Sequence, residues 1–377
     1  MNVPPLPRPT GGRFFEAYTR GLTTTDLERL FTRDAPEAYR FFSRNVDFDE
    51  LKNRPWHLRI FWRARLLFLA FTLKLTPARR VLYGSALVAS LIGLIELFQS
   101  FHLFLIPHPA FAPGTLWLLT GFLLVNLLVL LEVADRLSLK NDLEIAREIQ
   151  QAMLPRAEFR ALGIEAFGMT RPANTVGGDF YDILPLADGR VLLALGDVAG
   201  KGSPAALLMA LLLAMMRTLV DEGLPPGPLL ERLNVQLLRH APRSRFVTIF
   251  YAVIELDGRM QWVNAGQNPP RIRRADGRLD PLHATGVALG LFEGTTYATS
   301  ETTLGAGDLL VAYSDGVTEA ENTAGQPFDE AGLDGVITAW SAATAPEITQ
   351  AVQRAVLAHV GDARVGDDLT VLALRRS

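Results

Sequence analysis

Two long apolar runs constrain this chain before anything else in it is read. Residues 81–106 could cross about 30 Å of hydrocarbon as a single helix, with Glu96 as the acidic and His102 as the basic residue inside the run. Residues 116–131 form a second apolar run that carries one amide, Asn126. The stretch between them, 107–114, holds no Lys or Arg, whereas Arg79 and Arg80 precede the first run and Arg136 and Lys140 follow the second. By the positive-inside rule both ends of the hairpin face the cytoplasm, which places the chain in the inner membrane with everything after the hairpin intracellular. Polar groups within a bilayer point to function. In an antiparallel hairpin, however, Glu96 falls toward the outer side and Asn126 toward the inner side, so they do not meet within one chain. Upstream, residues 56–75 interleave Trp, Phe and Leu with Arg59, Arg63, Arg65 and Lys74, the pattern of a helix lying at a membrane surface.

At 377 residues the chain is longer than one typical domain. Its net charge of −3 argues against nucleic acid as a partner. The absence of cysteine excludes every cysteine-dependent phosphatase, protease and transferase, and the six scattered histidines never fall at metal-ligand spacing. Prolines at positions 4, 5, 7 and 9 predict a mobile tail, and cap-like patterns at 25–28 and at Asp34 predict two short helices within a region 1–55 to which no activity can be assigned. From 132 to 155 an apolar stripe of helical period runs unbroken to Pro155. Joined to the second span it gives a rod of about 40 residues, ~60 Å long at 1.5 Å per residue. Its stripe could pair with a second copy as a homodimer.

Residues 156–377 change character to short apolar runs separated by turn signals. Asp188-Gly189, Asp257-Gly258 and Asp276-Gly277 each sit between strand-like runs and read as hairpin turns. Ser203-Pro204 reads as the cap and start of a helix to about Glu222, followed by helices over 228–239, 329–340 and 346–359 and a last strand over 369–374. Hairpin-linked strands with helix pairs between them predict an α+β fold, an antiparallel sandwich with helices outside.

Six carboxylates differ from the turn residues because they stand at the ends of apolar runs. The hairpin of runs 180–186 and 191–195 brings Asp179 and Asp182 near Asp197, while Asp315 follows one buried run and Asp367-Asp368 precedes another. Carboxylates gathered with no neighbouring Lys or Arg raise one another's pKa, and a hard divalent cation relieves them; the bland alternative is that each Asp caps a turn. Gly200-Lys201 imitates a phosphate-binding loop, but Gly202 stands where that motif needs Ser or Thr, so nucleotide hydrolysis is not expected. Gly200 and Gly202 are instead expected to let the backbone approach the cations.

The segments LEIAREIQQAMLP, PANTVGGDFYD, GDVAGKG, VNAGQNPP, YSDGVTEA and GDDLTVLAL, in this order from residue 143 to 374, resemble the PPM-type metal-dependent serine/threonine phosphatases of bacteria. The branch is the one that includes the stage II sporulation phosphatase and the RsbU-like regulators. The resemblance implies a four-layer αββα sandwich over 156–377 holding two Mn²⁺ or Mg²⁺ ions. Asp179, Asp197, the carbonyl of Val198, Asp315 and Asp367 would be ligands, with Asp182 and Asp368 as second choices. It implies attack by a water activated between two cations, without a covalent enzyme intermediate. One departure stands out: the family's Ala-Gly-His is Ala265-Gly266-Gln267 here, which removes an imidazole from the site and lowers the expected activity.

The similar enzymes act on phosphoserine or phosphothreonine of small anti-anti-sigma-type proteins in partner-switching pathways. This chain is therefore expected to be a membrane-anchored protein phosphatase whose linker helix carries regulation. The competing readings are a signalling scaffold with a silent metal site, acting by binding its partner, and a hydrolase of small phosphoesters.

Overall fold

The computed structural model describes residue 55, positions 62, 65, 66, 68, 69, 72 and 73, and residues 75–101, 113–161, 163–242, 245–340 and 343–376. The predicted tail, the two N-terminal helices, most of the interfacial segment 56–75 and most of the 107–114 connection lie outside these residues. The chain divides into two compact units, Met1–Arg136 and Leu137–Ser377.

In the first unit, α1 (Pro77–Phe101) packs on the start of α2 (Pro113–Met153), which runs 41 residues without a break. Small residues let the backbones touch: a Cβ on Gly93 would come within 2.8 Å of the Gly114 carbonyl, and one on Gly121 would collide with the Ser90 hydroxyl. Asn126 donates to the Phe122 carbonyl at 2.9 Å, so its polarity is satisfied along its own helix. Arg79, at the base of α1, binds Glu132 at 3.1 Å and Asp135 at 2.7 Å. Val81, Val88, Leu91, Leu116, Phe122 and Leu130 are exposed, an apolar surface of the kind hydrocarbon covers. Two segments here are long and apolar enough to cross a membrane, Pro77–Leu97 and Gly114–Met153.

A third segment with that composition, Ser203–Val220, belongs to the second unit as α3. Its Met209, Leu212, Leu213 and Met216 are fully buried in the main hydrophobic core, so packing accounts for the apolarity of that face. The structure corrects its start: the cap position is Gly202, which makes no side-chain cap bond, and Ser203 is already helical, with Pro204 in the first turn.

The second unit is built from two antiparallel sheets. One holds β1 (Phe159–Ala161), β2 (Ile164–Arg171), β11 (Leu369–Arg376), β10 (Leu309–Tyr313), β7 (Arg271–Arg273) and β8 (Leu279–Pro281), in that order. The other holds β3 (Phe180–Pro185), β4 (Val191–Val198), β5 (Val247–Ile254), β6 (Arg259–Ala265) and β9 (Ser300–Thr303). All three predicted turns form, each Asp accepting the N–H of the Arg two residues on, at 3.1 Å for Asp188, 2.9 Å for Asp257 and 3.0 Å for Asp276.

Helix α3 and α4 (Pro226–His240) cover the second sheet, while α6 (Asp329–Ala339) and α7 (Ala345–Val360) cover the first. The result is the four-layer αββα arrangement with the larger core between and outside the sheets on the β5 side. Helix α7 begins with a capping box: Thr344 N–H donates to Glu347 at 2.9 Å, and Glu347 N–H donates back to the Thr344 hydroxyl at 3.4 Å.

Candidate metal centre

Antiparallel pairing decides where the carboxylates gather. In the β3–β4 hairpin Phe180 faces Gly196, so Asp179 and Asp197 arrive side by side at one strand end. In the other sheet Tyr313 faces Val371, which sets Asp315 of the short α5 (Asp315–Thr318) beside the Asp367-Asp368 pair. Cross-sheet bonds bring the two ends together. Asp368 accepts from Ala173 N–H and from Gly178 N–H, both at 2.8 Å, pinning the segment that leads into Asp179 onto the start of β11. Gly177 is required here, because any Cβ would strike the Asp368 carboxylate.

The electrostatics follow from this crowding. Asp179 is buried, and burial first, then Asp197 and Asp368, push its carboxyl well above the usual range, against hydrogen bonds from the Thr370 and Ser314 hydroxyls. Burial, then Asp315, Asp367 and Asp368, push Asp197 up to about 7, with a hydrogen bond to Asp179 pulling the other way. Asp315 is raised by burial and then by Asp367 and Glu319. Asp179 Oδ2 is buried with no hydrogen-bond partner, a costly state that a cation would relieve. A Cβ on Gly178 would come within 2.8 Å of the Val198 carbonyl oxygen and 2.9 Å of Asp197 Oδ1, so the glycine keeps the space beside those two oxygens open. These donors are all hard oxygens and suit Mg²⁺ or Mn²⁺.

Among the described residues, no three acidic or imidazole side chains yet stand at spacing that encloses a cation. Several are engaged elsewhere, which corrects the expectation of carboxylates without basic neighbours. Lys201 Nζ lies 2.7 Å from Asp367 Oδ2. Asp182 leaves the group altogether: it is fully buried on β3 and paired with Arg217, whose Nε reaches Oδ2 at 2.7 Å and whose Nη2 reaches Oδ1 at 3.1 Å. Arg217 also donates to the Met153 carbonyl at 2.7 Å, closing the C-terminal end of α2. The sequence does carry a signal for it, a lone Arg within an apolar helix, which demands a buried acid.

Two further residues were not legible as site-forming. Gln150, near the end of α2, donates to the Gly177 carbonyl at 2.7 Å and accepts from Gly177 N–H at 3.2 Å, holding the backbone two residues before Asp179. Gln267 accepts from the Thr248 hydroxyl at 2.6 Å and donates to the Tyr313 carbonyl at 3.0 Å, so it ties β5 to β10 across the sandwich. Gly200 is kept for a different reason than expected: a Cβ there would run into the guanidinium of Arg245, which holds the Ala199 carbonyl at 2.6 Å.

The fold of the second unit is that of the PP2C-type phosphatase domains. The structure is similar to the SiaA PP2C domain of Pseudomonas aeruginosa, with a TM-score of 0.58 and 21% identity over 65% of this chain and 99% of that one. It is also similar to the RsbU and RsbW domains of a Mycobacterium tuberculosis protein, with a TM-score of 0.51 and 26% identity over 57% of this chain and 60% of that one. Residues 187–377, more than half of the chain, match the family described as stage II sporulation protein E, and the chain belongs to that SpoIIE family. Among curated relatives it is 28% identical over 282 residues to protein IcfG of Synechocystis and 29% identical over 240 residues to phosphoserine phosphatase RsbU of Bacillus subtilis. These alignments cover 67% and 63% of this chain, and 44% of IcfG and 71% of RsbU.

Proposed function

We propose that the chain is a membrane-anchored, metal-dependent phosphoserine/phosphothreonine protein phosphatase. The observation that carries this reading is the meeting of acidic side chains from both sheets at one rim, with Asp179 Oδ2 buried and unpartnered and Asp197 pushed up to about 7. Asp179, Asp197, the Val198 carbonyl, Asp315 and Asp367 would hold two Mn²⁺ or Mg²⁺ ions. When bound, such cations lower the pKa of water and offset charge on the phosphoryl oxygens. The protein's own part is positional: the end of the β3–β4 hairpin and the adjoining ends of β10 and β11 would hold the cations, Gly178 leaves room beside Val198, and Asp368 locks the Asp179 segment in place.

The substrate we assign is the phosphorylated form of a small regulatory protein of the anti-anti-sigma type, supported by the likeness to a phosphoserine phosphatase, RsbU. Anchoring by α1 and the first part of α2 would keep the phosphatase unit in the cytoplasm at the inner membrane, and the apolar stripe of the linker would pair two copies. The scaffold reading has one observation on its side, the engagement of Asp367 by Lys201. Asp197→Asn and Asp315→Asn separate the two: the enzyme reading expects each to lower Mn²⁺-dependent dephosphorylation at least about 100-fold. A parent without activity whose partner binding survives both substitutions would establish the scaffold.

A further inference from the structure

Lys201 is the cation nearest the centre among the described residues, and its position is built. It stands on the loop between β4 and α3, between Gly200 at φ +104° and Gly202 at φ +75°. Arg245 pins that loop through the Ala199 carbonyl, and the ammonium is fixed at its far end by Gly366 O and Asp367 Oδ2, both at 2.7 Å. Both oxygens of Asp367 are thereby engaged, since its Oδ1 accepts the Asp368 N–H at 2.9 Å. The contrast with Asp179, whose Oδ2 has no partner, makes the centre uneven: one end waits for a charge and the other already has one.

We propose that Lys201 is an internal competitor for the divalent cation at Asp367, so that cation binding at this carboxylate must displace the ammonium and the lysine sets the affinity of the Asp315/Asp367 half of the centre. The inference rests on the metal-centre reading above. Exchange is physically easy, because the Lys201 side chain is 55% exposed and that of Asp367 41%. A cavity of about 270 Å³ opens beside them, lined also by Glu319, Glu321 and Arg364, and its two glutamates offer the displaced ammonium other carboxylates. A divalent ion carries twice the charge of the ammonium and prefers carboxylate oxygens, so it wins, but against a standing competitor. Among the described residues, no side-chain cation stands in a salt bridge with Asp179 or Asp197, so that end has no ammonium to displace.

The test is a Mn²⁺ titration of the full chain in detergent micelles, with free Mn²⁺ followed by electron paramagnetic resonance, a readout independent of turnover. The component of binding that Asp367→Asn abolishes should tighten about three- to tenfold in Lys201→Gln, the scale of one partly exposed ion pair. Lys201→Arg should keep the parent affinity, and Lys201→Gln placed on top of Asp367→Asn should change nothing. Unchanged or weaker binding in Lys201→Gln overturns the proposal, as does equal tightening with and without Asp367, which would mean a general field effect. A parent that binds no Mn²⁺ at all sinks the metal centre itself, a result distinguishable from both.

Discussion

Asp197 is the residue whose charge state should be easiest to read. Its folded pKa of about 7 lies above the usual carboxylate value, so the metal-free fold holds a proton there that the unfolded chain releases. The stability linked to that proton is full below the ordinary Asp range and is lost as pH rises through about 7. In EDTA, Asp197→Asn should therefore melt above the parent by a margin that grows from pH 5 to pH 8, while losing the gain in melting temperature that Mn²⁺ gives the parent. A margin independent of pH would contradict the shift. Gln267 makes a different prediction. It is buried and ties Thr248 to the Tyr313 carbonyl, so Gln267→Ala strands both and should cost about 1–3 kcal/mol in denaturant unfolding. The sequence showed Gln267 only as a missing imidazole; its bonding to a strand of the opposite sheet is a tertiary fact that no local pattern encodes. The same holds for Lys201, whose partner Asp367 is far along the chain. Asp182 was legible as an acid near a strand end but not as a buried one, because burial was decided by Arg217.

At the scale of elements, hairpins and helices were readable where local chemistry decides them. The Asp-Gly turns at 188–189 and 257–258 mark the β3–β4 and β5–β6 hairpins. Strand β2, which pairs along its whole length with β11, is not among the sequence expectations although Gly163 and Pro172 bound it, because Gly168 in the middle of IEAFGMTR weakens the strand pattern. Helix α3 shows the limit of composition: it is apolar enough to span a bilayer, yet one face is core. Leu212→Ala should cost about 2–5 kcal/mol of the phosphatase unit's stability, whereas Leu207→Ser, at a position 71% exposed, should stay within about 0.5 kcal/mol. Equal effects would mean that the helix faces lipid. The end of α2 supports the acidic rim through Gln150; Gln150→Ala strands the buried Gly177 N–H and C=O, so it should cost about 1–3 kcal/mol in denaturant unfolding in EDTA and also raise the Mn²⁺ concentration needed for half-maximal activity about 10- to 100-fold.

For the whole molecule, the ordering of layers follows from hydrophobic periodicity, but the meeting of the two sheets' strand ends does not. Asp179 and Asp197 come from one sheet, Asp315 and Asp367 from the other, and only the packed sandwich, with Asp368 bonded to Gly178, joins them. The account stands on that junction doing chemistry. Its most direct test uses the full chain in micelles with a serine-phosphorylated anti-anti-sigma-type protein from the same cell, and follows inorganic phosphate released with Mn²⁺ or with EDTA. The account predicts release that needs Mn²⁺ and disappears in Asp197→Asn and in Asp315→Asn. Release that persists in EDTA, or that survives both substitutions, would contradict it.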